Sequence, residues 1–237
     1  MNAVIIPTYN EKGTIGILLN ELTALYPDLY IFVVDDHSPD GTQDVVKDFM
    51  TKYSQIELFT REQKTGLGDA YKFAFKKLLA EYPEIKNFVT MDADGSHNPL
   101  VIKDFLEAMK NNDLAVGSRY MEGNTKGIVA WNFRRRMLSR GANLYSQFFT
   151  RVPIADLTSG YICIRRTLLE KMDLSKISST GYSYQIEFKC QAIRQAHGSY
   201  REMPITFYPR RAGVSKMTGK IILEGIIAPL RIFFRAK

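Results

Sequence analysis

Residues 87–94 read Asn87-Phe88-Val89-Thr90-Met91-Asp92-Ala93-Asp94, a strand-forming run that leads straight into two carboxylates one residue apart. Phenylalanine, valine and threonine in succession suit a pleated, covered backbone, so 87–91 is expected as a buried strand. In extended backbone, residues i and i+2 point the same way. Asp92 and Asp94 therefore face one side at the strand's end. Two such carboxylates repel unless a cation or donor groups compensate them. Hard oxygen ligands of this kind suit Mg²⁺ or Mn²⁺, which also bridges a pyrophosphate. A lone D-x-D is weak evidence, because most copies are solvated turns; its place directly after a buried strand gives it weight.

Outward from this point the first half alternates strands with helices. Apolar runs predict strands over 3–6, 30–34, 56–60 and 114–117. Helical spacing predicts helices over 14–25, 42–53, 67–81 and 100–110, the first with Ile15, Leu18, Leu19 and Leu22 on one face. This order predicts an α/β fold with a mainly parallel sheet flanked by helices on both faces. Ligands of such sheets lie outside the carboxyl ends of the strands. Asn10-Glu11, Asp35-Asp36 and residues 92–94 all fall at those ends, which indicates one site. Pro7-Thr8-Tyr9 brings a rigid turn and an aromatic face to the same region. Asp40-Gly41 reads as a turn and Thr42 as a helix cap, leaving Asp35 and Asp36 for a nucleoside. Gly66 and Gly68 open a helix where backbone N–H groups can approach a ligand. They form no G-x-G-x-x-G motif, and no Walker lysine follows. His97 lacks partners at metal-ligand spacing and reads as structural.

The charge is unevenly divided. The chain of 237 residues carries +7, with 32 basic against 25 acidic residues. Residues 1–118 hold 11 basic and 18 acidic side chains, and 119–237 hold 21 and 7. An acidic half suits a metal or a hydroxyl-rich ligand, and a basic half suits phosphates, a membrane surface or nucleic acid. Cys163 and Cys190 form no C-x-x-C pair or disulfide framework and read as core residues. A strand-like run beginning at Ala3 predicts no leader and a cytosolic domain. No linker or repeat interrupts the chain. It reads as one domain, with 1–118 binding nucleotide and metal, 119–220 binding acceptor, and 221–237 an amphipathic segment.

In the second half, 134–149 reads as a helix, 161–164 as a strand and 184–195 as a helix. Arg135 and Ser139 share a helical face, as do Arg136 and Arg140. Arg119, Arg135, Arg210 and Lys216 come from separate segments that a compact fold can converge on one anion, and arginine offers phosphate paired donors. In the last segment Ile222, Ile226, Leu230 and Phe233 oppose Glu224, Arg231 and Arg235. That segment is too short and charged to span a bilayer, and Pro229 is expected to bend it. It suits either an interfacial position with its basic side toward anionic headgroups or docking on the protein's own core.

Several of these stretches resemble glycosyltransferase family two: residues 5–11, Ile5-Ile6-Pro7-Thr8-Tyr9-Asn10-Glu11; Val33-Val34-Asp35-Asp36 with Ser38-Pro39-Asp40-Gly41-Thr42; and Met91-Asp92-Ala93-Asp94. Gly117-Ser118-Arg119-Tyr120, Ser139-Arg140-Gly141-Ala142-Asn143, Asp156-Leu157-Thr158-Ser159-Gly160-Tyr161 and Gly213-Val214-Ser215-Lys216 are similar to the dolichyl-phosphate (polyprenyl-phosphate) mannose synthases within it. The resemblance implies a GT-A type domain, Mg²⁺ or Mn²⁺, and inverting transfer of mannose from GDP-mannose to a dolichyl or other polyprenyl phosphate. It implies Pro7, Tyr9, Glu11, Asp35 and Asp36 around the nucleoside, with Asp92, Ala93 and Asp94 at the donor and the metal on Asp92 and Asp94. It further implies Arg119, Arg135, Ser139, Arg210 and Lys216 on the lipid phosphate, and Gln185 and Glu187 beside the sugar. Asp94, Arg119, Arg135, Ser139, Gln185 and Glu187 are the expected catalytic set. Gly95 departs from the leucine common after D-A-D. With no transmembrane helices to follow the domain, attachment is expected peripherally at the cytoplasmic face, through amphipathic surface or an anchoring subunit.

Three other readings compete. A polyprenyl-phosphate glucosyltransferase using UDP-glucose keeps the chemistry and changes the sugar. A sugar nucleotidyltransferase also sets carboxylates and metal on such a sheet, but the first strand is followed by no triphosphate signature. A nucleic-acid-binding module fits the basic half, and is opposed by the apolar final segment and the lack of RRM, KH or zinc patterns. No nucleic-acid partner is expected.

Overall fold

The computed structural model describes residues 1–121, 127–129, 133–211 and 219–235. Lys216 and the rest of 213–216 lie outside the described residues.

The first half follows the expected alternation: β1 (Asn2–Thr8), α1 (Lys12–Leu25), β2 (Tyr30–Asp35), α2 (Thr42–Met50), β3 (Ile56–Thr60), α3 (Leu67–Glu81), β4 (Asn87–Thr90), α4 (Val101–Ala108) and β5 (Leu114–Ser118). Then come α5 (Phe133–Thr150), β6 (Ile162–Arg165), α6 (Arg166–Glu170), α7 (Tyr184–Cys190), β7 (Tyr200–Pro204) and α8 (Gly219–Arg235). The seven strands form one sheet in the order β3-β2-β1-β4-β6-β5-β7. β6 pairs antiparallel with β4 and β5, and the remaining pairings are parallel.

Both faces of the sheet are covered, which is why the early strands read as continuous apolar runs. Ala3, Ile5, Phe32, Val34 and Phe88 pack on one face against α3 and α7. Val4, Ile6, Ile31, Val33 and Val89 pack on the other against α1 and α4. Cys163 and Cys190 are buried and free, as expected. The strand order reverses between β1 and β4, and a crevice opens there at the carboxyl ends.

The second half departs from expectation in three places. β7 was not foreseen, because Tyr-Arg-Glu-Met-Pro is a half-exposed edge strand with little apolar signal. The short α6 was also not foreseen. The helix expected over 184–195 is α-helical to Cys190 and then widens into a π turn at Gln191–Gln195. α8 runs through Pro229, which is buried together with Ala228. Among the described residues no helix is long and apolar enough to cross a membrane.

Candidate active site

The crevice holds a cavity of about 380 Å³. Pro7 enters it from the end of β1, Tyr9 and Glu11 from the loop that follows, Asp36 from just past β2, and Asp92, Ala93 and Asp94 from just past β4. Gly66 and Lys64 close one side; Thr180, Gly181, Tyr182 and Arg210 close the other, with Glu224 of α8. Among the described residues, five carboxylates (Glu11, Asp36, Asp92, Asp94 and Glu224) line it against two cations, Lys64 and Arg210.

The 92–97 turn is built to present Asp92. The Asp92 N–H donates to Nδ1 of His97 at 3.1 Å. The His97 ring stacks on Tyr161 with centroids 4.5 Å apart, and its Nε2 lies 4.0 Å from Asp92 Oδ2. His97 is thus structural, as expected, but its task is at the site. Burial lowers its basicity despite the nearby Asp92, which keeps Nδ1 free to accept. Among the described residues, no donor hydrogen-bonds to the Asp92 carboxylate. Burial holds this carboxyl above its ordinary value, and the Asp94 charge adds to the rise. Asp94 accepts from the Ser96 N–H at 3.0 Å and stands 3.2 Å from Nε of Arg210. Gly95 has φ +77°, and a Cβ there would meet the Arg211 side chain at 2.7 Å. The left-handed turn and this close approach account for glycine where leucine was expected.

Asp35 and Asp36 divide their work. Asp35 is fully buried and accepts from Thr8 Oγ1, Ser38 N, Ser38 Oγ and Gln43 Nε2, all within 2.8 Å. Its carboxylate ties β1 to the turn after β2 and does not line the cavity, contrary to the expected nucleoside role. Asp36 does line it, paired with Arg61 at 2.6 Å. Burial raises the Asp36 carboxyl, and Arg61 only partly offsets this. Gly66 and Gly68 also depart from expectation. The Gly68 N–H is spent on the Thr180 carbonyl at 2.8 Å. A Cβ at Gly66 would meet that oxygen at 2.5 Å, so these glycines admit a neighbouring loop.

The basic residues come from different elements, and Lys216 lies outside the described residues. Arg119 makes a two-pronged pair with fully buried Asp156, Nε to Oδ2 at 2.7 Å and Nη2 to Oδ1 at 2.8 Å. Nη2 also donates to Thr158 Oγ1 at 2.7 Å. Much of the Arg119 fork therefore serves the fold. Its charge still reaches Asp92 and His97. Arg210 lines the carboxylate cavity, where its Nε faces Asp94. Arg135 is exposed on α5, one turn before the half-buried Ser139 that stands beside Tyr120. α5 is anchored by a reciprocal pair in which Asn143 Nδ2 donates to Thr158 Oγ1 and Thr158 N donates to Asn143 Oδ1, both at 3.2 Å.

Gln185 and Glu187 separate as well. Both amide heavy atoms of Gln185 are buried without a hydrogen-bond partner among the described residues. A Cβ placed on Gly160 would lie 3.4 Å from Gln185 Nε2 and 3.8 Å from Asp92 Oδ1. Gly160 thus leaves room at ordinary van der Waals distance between the Gln185 amide and the Asp92 carboxylate. Glu187 instead accepts from Ser178 N and Ser179 Oγ, each at 2.7 Å, so its carboxylate holds a loop.

Comparison with known proteins follows the geometry. The sequence profile of glycosyl transferase family 2 matches residues 3–173. The chain belongs to this family. Polyprenol monophosphomannose synthase of Mycolicibacterium smegmatis is 42% identical over 225 residues, covering 94% of this chain and 83% of the relative. Undecaprenyl-phosphate mannosyltransferase of Micrococcus luteus is 36% identical over 223 residues, covering 94% and 90%. Among solved structures, glucosyl-3-phosphoglycerate synthase of Mycobacterium tuberculosis with Mn²⁺, uridine diphosphate and phosphoglyceric acid superposes with TM-score 0.66 at 20% identity, covering 97% of this chain and 77% of that one. The mannosyltransferase PcManGT of Pyrobaculum calidifontis, with GDP-Man and Mn²⁺, gives 0.60 at 14%, covering 99% and 63%. These structural likenesses establish the fold.

This family 2 glycosyltransferase carries site residues that sequence reasoning passed over. Lys64 stands 4.0 Å over the Tyr9 ring, yet lies in a polar turn with no pattern to mark it. Lys189 is buried and donates to the carbonyls of Leu157, Ser159 and Gln185. Burial pulls it down to about 7, with the Asp156 charge opposing. It fixes the 157–160 loop behind the space at Gly160.

Proposed function

We propose that this glycosyltransferase moves mannose from GDP-mannose onto a polyprenyl phosphate, with inversion, at the cytoplasmic face of a membrane. The observation that carries the reading is the cavity in which Asp92 stands beside Asp94, Tyr9 and Asp36. The names of the two curated relatives support the sugar and the acceptor class, and disfavour the glucose, nucleotidyl-transfer and nucleic-acid alternatives.

A divalent cation fits the donor set. Asp92 is a half-buried carboxylate with no hydrogen-bonding donor among the described residues, and Asp94 is its neighbour. Among the described residues no group of three or more His, Cys, Asp or Glu side chains could hold an ion, so Asp92 and Asp94 would share it with diphosphate oxygens. Bound there, Mg²⁺ or Mn²⁺ supplies charge stabilisation for the departing diphosphate. Tyr9 and Pro7 give the nucleoside an apolar edge, and Lys64 and Arg210 offer cationic donors to the diphosphate. The acceptor phosphate is already anionic near neutral pH and needs no strong general base to attack the anomeric carbon. The site's task is to bring two anions together in line, and cationic side chains lower that cost. The reading is tested by incubating the protein with radiolabelled GDP-mannose or UDP-glucose, a polyprenyl phosphate and either metal. Label from GDP-mannose should enter organic solvent; transfer from UDP-glucose alone would overturn the choice of donor.

The space beside Gly160 and the buried Gln185 amide support a reading in which Gln185 faces the sugar. Gly160→Ala should raise the donor KM about tenfold while GDP binds almost as before, because the added methyl crowds a sugar hydroxyl and leaves the nucleoside alone. Equal weakening of GDP in a binding titration would remove the sugar from this space.

The acceptor implies a lipid surface. Phe133, Leu138, Leu144 and Phe148 of α5 are exposed alongside Leu223, Ile226, Ile227 and Phe234 of α8. The two helices are joined by Tyr145 Oη donating to the Ile226 carbonyl at 2.8 Å and by the Phe149 and Phe233 rings. Exposed arginines 134, 135, 136 and 140 flank the apolar face, a composition that suits an anionic interface. Leu138→Ser with Phe148→Ser should cut sedimentation with anionic vesicles about tenfold, the loss of roughly one buried apolar side chain or more. Undiminished sedimentation would remove this face from the membrane.

A further inference from the structure

Glu224 and Arg231, on the polar side of α8, face inward. Of the two positions open to the final segment, these contacts favour docking: Arg231 donates to Ser178 Oγ and lies 3.5 Å from Glu187 Oε1. One and a half to two turns earlier, Glu224 accepts from Thr180 N at 2.9 Å and from Gly181 N at 3.2 Å. Four successive residues, 178–181, are thereby held by two carboxylates. Glu187 takes the first two, with Arg231 bridging it to α8, and Glu224 takes the last two.

This loop is a wall of the donor cavity. Thr180, Gly181 and Tyr182 line it. On its other side the loop presses on the start of α3, where the Thr180 carbonyl accepts from Gly68 N and the Ser179 carbonyl would meet a Cβ on Gly68 at 2.8 Å. Tyr182 in turn meets Arg210, the cation beside Asp94. A chain of contacts thus runs from α8 through the loop to both the Gly66 side and the Arg210 side of the cavity. Loop backbone by itself has little to hold it in one conformation, and here the restraint comes from a helix at the far end of the sequence.

We propose that Glu224 and Arg231 are positioning residues for donor binding: they seat the 178–182 loop as a cavity wall, so that nucleotide affinity depends on α8 being docked. The inference rests on reading the cavity as the donor site. Each hydrogen bond to a charged group carries about a tenfold effect or more.

The test is calorimetric titration of the full chain with GDP and Mn²⁺, together with donor kinetics and hydrogen exchange over 178–182. Glu224→Gln and Arg231→Met should each weaken GDP about tenfold and raise the donor KM in step, with kcat of Arg231→Met, which lies outside the cavity lining, within about twofold at saturating donor. Exchange at Thr180 and Gly181 should quicken in Glu224→Gln, and Arg231→Lys should recover most of the affinity that Arg231→Met loses. Variants that bind GDP as the unaltered protein does, or that lose kcat at unchanged KM, overturn the proposal. If the unaltered protein fails to bind any nucleoside diphosphate, the donor reading falls and takes this inference with it. Exchange that stays slow in both variants also overturns it, independently of nucleotide.

Discussion

Asp94→Asn should lower turnover by about 10²- to 10³-fold, the scale of losing one preorganised group that meets charge developing in the transition state. The substitution is nearly isosteric. The Ser96 N–H can still donate to the retained amide oxygen, and the fold of the 92–97 turn should survive, as circular dichroism would check. What disappears is a negative charge 3.2 Å from Arg210 and beside Asp92. Two consequences separate this from a general disturbance of the site. The metal concentration needed for half-maximal rate should rise, because one of two protein carboxylates no longer attracts a cation. The repulsion that helps raise the Asp92 carboxyl should also fall, bringing that group back toward its ordinary range. A variant with near-normal rates across a Mg²⁺ or Mn²⁺ titration would remove Asp94 from the metal.

The strands that carry this site were legible because each is buried on both faces and ends abruptly in polar residues. β1, β2 and β4 leave runs such as Val-Ile-Ile and Phe-Val that only a covered sheet accepts, and the carboxylates mark where cover stops. β7 leaves no such mark, since an edge strand with one half-exposed face can be built from Tyr, Arg and Glu. The division of labour between Asp35 and Asp36 was hidden for a similar reason. Adjacent residues on a strand point to opposite sides, and sequence alone does not say which side holds the ligand. Thr8, Ser38 and Gln43 surround Asp35 from three segments, a convergence that only the fold creates. The same holds for Glu224 and Arg231. Helical spacing put them together on the polar face of α8, and nothing in the sequence distinguished a face turned to lipid from one turned to residues 178–181.

Two of the three arginines expected to serve the acceptor, Arg119 and Arg135, should behave in opposite ways when removed. Arg119→Met leaves Asp156 buried with its two-pronged partner gone, a change that costs about 3–5 kcal/mol. Arg135→Met, on an exposed turn of α5, should leave thermal unfolding almost unchanged and lower kcat/KM for the lipid acceptor, with GDP affinity intact. Denaturant unfolding of both variants, paired with GDP titration, separates the outcomes. The pH dependence adds a sign. Burial works to raise the Asp156 carboxyl, and the Arg119 charge and hydrogen bonds outweigh it, holding the group below its ordinary value. Stability from the pair is therefore present above the unfolded carboxylate pKa of about 3.9 and is lost as pH falls through the lower folded value. Without Arg119, burial acts unopposed by that pair. The Asp156 proton is then bound more readily in the folded state, and the deficit of Arg119→Met should shrink as pH drops below about 4. A deficit that stays constant from neutral pH to pH 3 would mean that Arg119 contributes packing and not charge. A stable Arg119→Met variant that loses only acceptor use would return Arg119 to the lipid phosphate.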